Sequence, residues 1–214
     1  MIPGITLAAR FGDSDLWRIE LSLPDGDLAG RMECLVERER QRALRLERPD
    51  ARRRFVAARA GLRHVLARHR RVPPVSVDLV DGINGKPEVR GGPHFSLSHS
   101  GELALCAVSS SGRVGVDLER LRPVGEADEM ARRWFGDQER EAYRQALRQR
   151  PESAFLEVWT RKEAYLKAVG AGLSGLSPRD EVDLDRWEIH PLRPAEGYVG
   201  ALVQERTATA PAVG

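Results

Sequence analysis

Two acidic residues stand two positions apart in a short apolar stretch, Gly115-Val116-Asp117-Leu118-Glu119. The stretch is predicted to be a strand, and side chains at i and i+2 of a strand project from the same face, so both carboxylates can converge on one point. Acids in such a setting need a partner, which could be an arginine or a divalent cation such as Mg²⁺, whose ligands are oxygens. From Asp117 and Glu119 alone, an acidic strand end in solvent is the simpler interpretation.

A third carboxylate, Glu163, lies in the segment Trp159–Ala168, which is predicted to be helical. Glu163 and Lys167 are one turn apart on the same helix face, so the plain interpretation is an exposed ion pair on a surface helix. Apolar residues occupy most of the helix circumference, however, which predicts a largely buried helix. Glu163 is therefore a reasonable addition to the Asp117 and Glu119 pair.

A serine- and histidine-containing segment, Phe95-Ser96-Leu97-Ser98-His99-Ser100-Gly101, runs from a predicted strand into a turn. Adjacent strand residues point apart, so Ser98 and His99 do not indicate a nucleophile and its base. A hydroxyl and an imidazole at a strand end suit phosphate oxygens better. The sequence contains neither a phosphate-binding Gly-Lys-Ser/Thr loop nor a dinucleotide-binding glycine motif, and its cysteines and histidines lack zinc spacing.

The basic residues are nearly all arginine. Of 34 lysines and arginines only three are lysines, Lys86, Lys162 and Lys167. Arginines are densest between Arg31 and Arg71, which is typical of a solvated helix face or, less often, of an anion site. The net charge of +2 does not by itself suggest a nucleic-acid partner.

The elements that must position these residues alternate between strands and helices, and the predicted fold class is α+β. With 214 residues, 41% hydrophobic and 31% charged, the composition is that of a globular protein. Predicted strands cover 15–23, 75–80, 94–99, 103–108, 114–119, 180–190 and 197–204; predicted helices cover 28–46, Pro49 to before Pro73, 125–133, 137–149 and 152–169. Two β/α halves meet near residue 110, and residues 206–214 are predicted to form a flexible tail.

Features of the whole chain predict a soluble protein of the reducing cytoplasm. No apolar run approaches the length of about 18 residues that a membrane span needs. The first residues lack the basic and apolar regions of a secretory signal. Two cysteines, Cys34 and Cys106, do not make a disulfide framework.

Four motifs in this order resemble a known family: Gly85-Lys86-Pro87, Phe95-x-Leu97-Ser98-His99-Ser100, Gly115-Val116-Asp117-x-Glu119 and Trp159-Thr160-x-Lys162-Glu163-Ala164-x-x-Lys167. The chain closely resembles the 4′-phosphopantetheinyl transferases, in the surfactin-synthetase-type branch that is about twice the length of holo-acyl-carrier-protein synthase. The resemblance extends from about Arg38 to Leu173, and all three lysines fall inside its motifs. Each motif alone is weak, but four in order at these spacings are specific.

The resemblance implies a reaction and an architecture. The family moves the phosphopantetheine arm of coenzyme A to a serine of an acyl or peptidyl carrier protein and releases adenosine 3′,5′-bisphosphate. The implied fold is a pseudo-twofold α+β monomer with halves at 1–110 and 111–205 and coenzyme A in the cleft between them. No nucleic acid or membrane is implied as a partner.

The resemblance also implies a role for each candidate residue. Mg²⁺, or Mn²⁺ in its place, would be held by Asp117, Glu119 and Glu163. The phosphates of coenzyme A would be contacted by Lys86, Ser98, His99 and Lys167, and its adenine and 3′-phosphate by the region of Arg53 and Arg54, with Arg38 serving the same end. Glu163 and Lys167 would be the catalytic residues, and Glu139 falls near a family acid that is less regularly assigned.

Several points stay open at this stage. The base for the acceptor serine is Glu163 or a metal-bound water, with His99 a weaker candidate. Two other functions compete: a non-enzymatic arginine-rich module that binds nucleic acid or an acidic protein, and a Mg²⁺-dependent phosphohydrolase or nuclease. The carrier protein could belong to a polyketide synthase, a non-ribosomal peptide synthetase or a fatty-acid synthase.

Overall fold

The structure is a computed structural model that describes residues 2–24, 26–82, 86–170 and 183–206. Strands and helices are mixed along these ranges, which confirms the predicted α+β class. The helices are α1 (Asp27–Glu33), α2 (Glu37–Leu44), α3 (Pro49–Arg70), α4 (Ala127–Trp134), α5 (Asp137–Gln149) and α6 (Ala154–Val169). The strands are β1 (Ile5–Phe11), β2 (Ser14–Glu20), β3 (Leu79–Asp81), β4 (Pro87–Val89), β5 (His94–Ser100), β6 (Leu103–Ser109), β7 (Val114–Arg120), β8 (Trp187–Leu192) and β9 (Tyr198–Glu205).

Two antiparallel sheets carry most of these strands. The first has the order β1-β2-β6-β5 and the second the order β7-β9-β8, while β3 and β4 form a separate pair. Strands β5 and β6 are joined by the two residues Gly101 and Glu102, with Ser100 opposite Leu103. Gly101 has φ of +56°, a conformation that glycine adopts without the steric cost of a Cβ and that hairpin turns of this length require.

The two sheets pack face to face between helices. Helix α3 covers the outer face of the first sheet, where Trp17, Ile19 and Leu62 belong to one buried cluster. The inner face of that sheet meets the second sheet through a cluster that includes Leu105 and Leu118. Burying a side chain of this size contributes about 1.5–3 kcal/mol relative to exposing it, so the sheet-to-sheet contact is a main source of stability.

Helix α6 lies on the second sheet with almost no space between them. Gly115 is the reason, because a Cβ at this position would lie 1.9 Å from the Ala164 carbonyl oxygen and 2.5 Å from the Ala168 nitrogen. Real atoms do not approach so closely, so only glycine lets the helix backbone approach β7. This contact brings Glu163 and Lys167 of α6 close to the acids of β7.

The change from the first sheet to the second falls between Ser109 and Val114. Each sheet is covered on its outer side by a long helix, α3 or α6. The division into halves at 1–110 and 111–205 and the pseudo-twofold relation between them stay predictions.

The predicted helix over 28–46 is wrong as a single element. The chain forms α1 and α2 instead, separated at Val36, whose ψ of 162° is extended. The Val36 nitrogen donates to Glu39 Oε2 at 3.2 Å, so the Glu39 side chain caps the start of the second helix. This local bond begins the second helix at Glu37 without a proline or glycine at the break.

The predicted strand over 75–80 is also corrected. Pro74–Ser76 is a 3-10 turn and the strand begins only at Leu79. Arg63 Nη1 donates to the carbonyl oxygens of Pro74 at 2.9 Å and Val77 at 3.1 Å, so these carbonyls are bonded to a side chain and not to a neighbouring strand. Strand β1, which the pattern did not predict, has mostly exposed or half-buried side chains.

The predictions for the last two strands and for the C-terminal tail are tested only in part. The closing strands are found as β8 and β9, although residues 180–182 of the first predicted span lie outside the described residues. Arg206 still donates its nitrogen to the Arg186 carbonyl at 2.8 Å, and the rest of the predicted tail, 207–214, lies outside the described residues.

Both cysteines are free thiols, Cys34 half-buried and Cys106 buried. Burial raises the pKa of the Cys106 thiol, which keeps it protonated. Among the described helices none combines the length and the apolar character that crossing a membrane requires.

Candidate active site

The two acids of β7 are bound by serines of β5. Ser98 donates its hydroxyl to Asp117 Oδ1 at 2.7 Å, and Ser100 donates its hydroxyl to Glu119 Oε2 at 3.0 Å. Asp117 is buried, with 6% of its surface exposed. Both acids therefore lie on the same side of β7, as their spacing predicts. Gly115 places α6 on that side too, and both acids accept hydrogen bonds from the last strand of the first sheet.

Lys167 reaches across from α6 to the same place. Its Nζ lies 2.6 Å from Asp117 Oδ1 and 3.1 Å from the Ser98 hydroxyl. The interpretation of Lys167 as half of an exposed ion pair with Glu163 is therefore wrong. The buried carboxylate of Asp117 needs a counter-charge, and a lysine that neutralises it is held more tightly than one in a surface pair.

Glu163 shares this neighbourhood. Burial raises the pKa of the Glu163 carboxyl, the negative charges of Asp117 and Glu119 raise it further, and Lys167 opposes them. Three carboxylates thus interact around a single lysine, which leaves an excess of negative charge.

The donor set fits a hard divalent cation. Lys167 and Ser98 both bind Oδ1 of Asp117, while Ser100 and Arg122, the latter at 3.5 Å, both approach Oε2 of Glu119. Asp117 Oδ2 and Glu119 Oε1 receive no hydrogen bond from the described residues. Free carboxylate oxygens beside uncompensated negative charge are what Mg²⁺ or Mn²⁺ would require. Over the described ranges, no group of three or more His, Cys, Asp or Glu side chains is already close enough to hold an ion.

Lys86 approaches the site from the first half of the chain. Its Nζ donates to the backbone carbonyl of Lys167 at 2.7 Å. Burial lowers the pKa of the Lys86 ammonium to about 8, with Lys167 and Arg113 acting in the same direction and Glu88 against them. Lys86 also lines a cavity of about 420 Å³ between β4, β5 and the end of α6.

His99 is exposed, whereas its neighbour Ser98 is buried. The alternation of strand side chains places the imidazole on the face of β5 opposite to Ser98 and the acids. His99 is therefore separate from the cluster of carboxylates and lysines.

The predicted arginines fall into two settings. Arg38 donates to the Leu79 carbonyl and lines a cavity of about 180 Å³. Arg54 is exposed and pairs with Glu102 at 2.8 Å, and Arg53 is half-buried one position before it.

Sequence reasoning missed two arginines that line the same cavity as Arg38. Arg42 and Arg59 lie over the ring of Phe55, at 5.3 Å and 5.9 Å from its centroid. Their spacing could have indicated them: Arg38 and Arg42 are one turn apart on α2, and Phe55 and Arg59 are one turn apart on α3, so each pair shares a helix face. The cavity therefore combines three cations and an aromatic ring with one acid, Glu39, which lies 3.5 Å from Arg59.

Glu139 has a structural task. Its Oε2 accepts a hydrogen bond from the Gly136 nitrogen at the start of α5 at 2.9 Å and lies 2.8 Å from Nζ of Lys162, which is buried. Lys162 therefore holds α5 against α6, while the other two lysines belong to the candidate site.

Comparison with known proteins decides what this cluster belongs to. The family model of the 4′-phosphopantetheinyl transferase superfamily matches residues 113–209, which contain the three acids and Lys167. The 4′-phosphopantetheinyl transferase HetI of Nostoc sp. strain PCC 7120 is 35% identical over 94% of this chain and 90% of its own length. The chain belongs to the 4′-phosphopantetheinyl transferase superfamily. It is an enzyme, a transferase of the phosphopantetheinyl type.

Other members of the 4′-phosphopantetheinyl transferase superfamily bear on the branch. The 4′-phosphopantetheinyl transferase Sfp of Bacillus subtilis strain 168 is 30% identical over 53% of this chain and 50% of its own length. The 4′-phosphopantetheinyl transferase psf-1 of Bacillus pumilus is 36% identical over 58% of this chain and 54% of its own length. These relatives support the surfactin-synthetase-type branch, and membership in the superfamily replaces the alternatives of a non-enzymatic module and a phosphohydrolase.

Proposed function

We propose that this phosphopantetheinyl transferase moves the 4′-phosphopantetheine moiety of coenzyme A to a serine of an acyl or peptidyl carrier protein, with Mg²⁺. The observation that carries the proposal is the contact of Lys167 with Asp117 and Ser98, beside Glu119 and Glu163. A pyrophosphate brings negative charge and needs cations, and the cluster offers both lysine ammonium groups and carboxylates for a divalent ion.

The transfer makes and breaks one bond each at the phosphorus that carries pantetheine. The serine oxygen of the carrier bonds to that phosphorus, and the bond from the phosphorus to the bridging oxygen of the pyrophosphate breaks. The bridging oxygen leaves with adenosine 3′,5′-bisphosphate, and the serine proton passes to a base. Mg²⁺, when bound, would neutralise the charge that develops on the pyrophosphate oxygens.

The side chains of the site would bind the ion, bind the phosphates and accept the serine proton. Asp117, Glu119 and Glu163 would hold the ion, and Lys167 would turn from Asp117 to a phosphate once the ion balances that carboxylate. Lys86 and Ser98 would bind phosphate oxygens beside the acids, and His99, on the opposite face of β5, would contact a different phosphate of coenzyme A. Glu163 is the proposed base, because its raised pKa makes it a better proton acceptor than an ordinary carboxylate.

The arginine-lined cavity is the proposed site of the adenosine end of coenzyme A. Arg38 and Arg42 would face the 3′-phosphate and the Phe55 ring would pack against the base, since guanidinium groups bind phosphate and aromatic rings stack on bases. Arg53 and Arg54 are the other proposed contacts there, after Arg54 leaves Glu102. Coenzyme A would lie between the halves 1–110 and 111–205 of a cytoplasmic monomer that needs neither nucleic acid nor a membrane.

A reconstituted reaction tests the proposal. The purified chain, coenzyme A, Mg²⁺ and an apo carrier protein are mixed, and intact-mass spectrometry of the carrier is combined with chromatography of the nucleotide. We expect one phosphopantetheine on the carrier for each adenosine 3′,5′-bisphosphate released, and no reaction on a carrier whose acceptor serine is alanine. Release of the bisphosphate without a carrier would indicate hydrolysis and contradict the proposal.

A further inference from the structure

Strand β5 presents serine hydroxyls to β7 at three alternate positions. Ser96 accepts a hydrogen bond from the Val116 nitrogen at 3.1 Å, Ser98 donates to Asp117, and Ser100 donates to Glu119. Alternate residues of a strand share a face, so the three hydroxyls form one row. We call Ser96, Ser98 and Ser100 the serine row. It bonds two strands that belong to different sheets.

The members of the serine row have different partners. Among the described residues, the Ser96 hydroxyl bonds to β7 through its backbone alone. The Ser98 hydroxyl contacts Asp117 and Lys167 and is also a proposed phosphate contact. Ser100 makes two bonds at once, because its oxygen also accepts a hydrogen bond from the Arg120 nitrogen at 3.0 Å. A hydroxyl can donate and accept simultaneously, so Ser100 ties the Glu119 carboxylate to the backbone of the next residue.

These two hydrogen bonds of Ser100 determine which carboxylate oxygen of Glu119 is held by the protein. Both approaching groups, the Ser100 hydroxyl and the Arg122 guanidinium at 3.5 Å, lie at Oε2. Arg122 is more than half exposed and sits on the segment that leaves β7, so by itself it would hold the carboxylate only weakly. The Ser100 bond is the shorter one and comes from a strand, which makes it the contact that sets the orientation of the side chain.

We propose that Ser100 is a positioning residue that holds Glu119 by Oε2 and so keeps Oε1 available to the divalent cation. The inference rests on the proposed function, in which Glu119 is a ligand of that cation. Partners that orient a ligand from behind commonly change metal affinity by 10- to 100-fold when they are removed. Ser100 would act in this way without touching substrate or metal.

The serine row supplies a matched control. Ser100→Ala removes the hydroxyl that faces Glu119, and Ser96→Ala removes a hydroxyl of the same strand and the same face that serves only backbone. Arg122→Ala removes the second group near Oε2 from an exposed position and leaves the core untouched. Ser100→Thr restores a hydroxyl at the same place.

The experiment measures binding of Mn²⁺ to each protein in the presence of coenzyme A, with free Mn²⁺ counted by electron paramagnetic resonance. We expect Ser100→Ala to bind Mn²⁺ about ten-fold more weakly than wild type, with Ser100→Thr close to wild type. Ser96→Ala and Arg122→Ala should bind no more weakly than wild type. The Mn²⁺ concentration that half-saturates transfer should shift for Ser100→Ala by the same factor as binding.

The outcomes separate this inference from the proposed function. Unchanged Mn²⁺ affinity in Ser100→Ala, or an equal loss in Ser96→Ala or Arg122→Ala, would overturn the role of Ser100 while wild type still binds Mn²⁺ and transfers the group. A wild-type chain that binds no Mn²⁺ with coenzyme A and modifies no carrier would instead contradict the proposed function.

Discussion

Lys86 donates a hydrogen bond to the backbone carbonyl of Lys167 at 2.7 Å, so one of the three lysines of the chain holds the helix end that carries another. The Lys167 carbonyl belongs to the last turn of α6, where carbonyl groups lack partners within the helix and attract cations. The contact therefore joins the β3–β4 region of the first half to the helix that bears Glu163. It also explains why a lysine whose charge is costly to bury lies at this position.

A first prediction concerns pH and Lys86. The folded pKa of about 8 lies below the ordinary value of 10.5, so above pH 8 the ammonium loses its proton in the native state. We expect the affinity for coenzyme A to fall between pH 7 and 9 in wild type, and to fall much less in Lys86→Arg, which stays charged. Calorimetric titration of coenzyme A at several pH values measures both. Equal pH profiles for the two proteins would remove Lys86 from phosphate binding.

The same lowered pKa has a consequence for folding. Between about pH 8 and 10.5 the unfolded chain binds more protons at Lys86 than the folded chain, so this residue makes the free energy of unfolding rise with pH in that window. Lys86→Met should lack this contribution. Denaturant unfolding of both proteins at pH 8 and pH 10 provides the comparison.

A second prediction concerns Asp117. Asp117→Asn keeps an oxygen for the Ser98 hydroxyl but loses the charge that binds Lys167 and, in the proposed function, the cation. We expect transfer to fall by at least about 100-fold, as is usual for the loss of an essential charged group in an active site, at unchanged melting temperature within a few degrees. Full activity at millimolar Mg²⁺ would remove Asp117 from the metal site. Glu163→Ala should behave in the same way.

A third prediction contrasts two lysines of α6. Lys167→Met should abolish transfer and cost less stability than Lys162→Met, because the Lys167 ammonium is partly exposed and Ser98 still donates to the buried Asp117 carboxylate. Lys162→Met should instead destabilise the fold by about 3–5 kcal/mol, because it removes the buried cation that balances the Glu139 carboxylate. Thermal unfolding and turnover, measured for both variants, should show the larger loss of turnover in Lys167→Met and the larger loss of stability in Lys162→Met. Wild-type turnover in Lys167→Met would leave that residue with a structural role only.

A fourth prediction tests Glu163 as the base. Glu163→Gln keeps the size of the side chain and one oxygen ligand but cannot readily accept a proton. With coenzyme A and Mg²⁺ saturating, we expect binding of both to persist while the single-turnover rate falls by about 100- to 10,000-fold, the usual contribution of general base catalysis. A chemical step near the wild-type rate would show that another group takes the serine proton.

Elements with strong local signals could be predicted from the sequence. The β5–β6 hairpin follows from Gly101 between two apolar strands, and α6 follows from its apolar pattern. The break at Val36 and the turn at Pro74–Ser76 could not be predicted, since each depends on one side chain, Glu39 or Arg63, bonding to backbone. Arg63 acts from another element, so a local pattern contains no trace of its effect.

In the candidate site, too, features that depend on local spacing could be predicted and contacts between distant residues could not. The spacing of Asp117 and Glu119 predicted a shared face, because it depends only on the period of a strand. The pairing of Glu119 with Ser100 depends instead on how two sheets pack, as does the partner of Lys167. Such contacts join residues 19 and 50 positions apart, and only the fold brings them together.

The serine row also limits how halves of related transferases could be exchanged. A chimera joined between Ser109 and Val114 would take β5 from one parent and β7 from the other. Its site would assemble only if the first parent has hydroxyl side chains at the same alternate positions of β5. An offset of one residue would turn every hydroxyl to the opposite face of the strand. Sequence identity across the remainder of each half would matter less to such a hybrid than the alternate placement of the serine row where β5 meets β7.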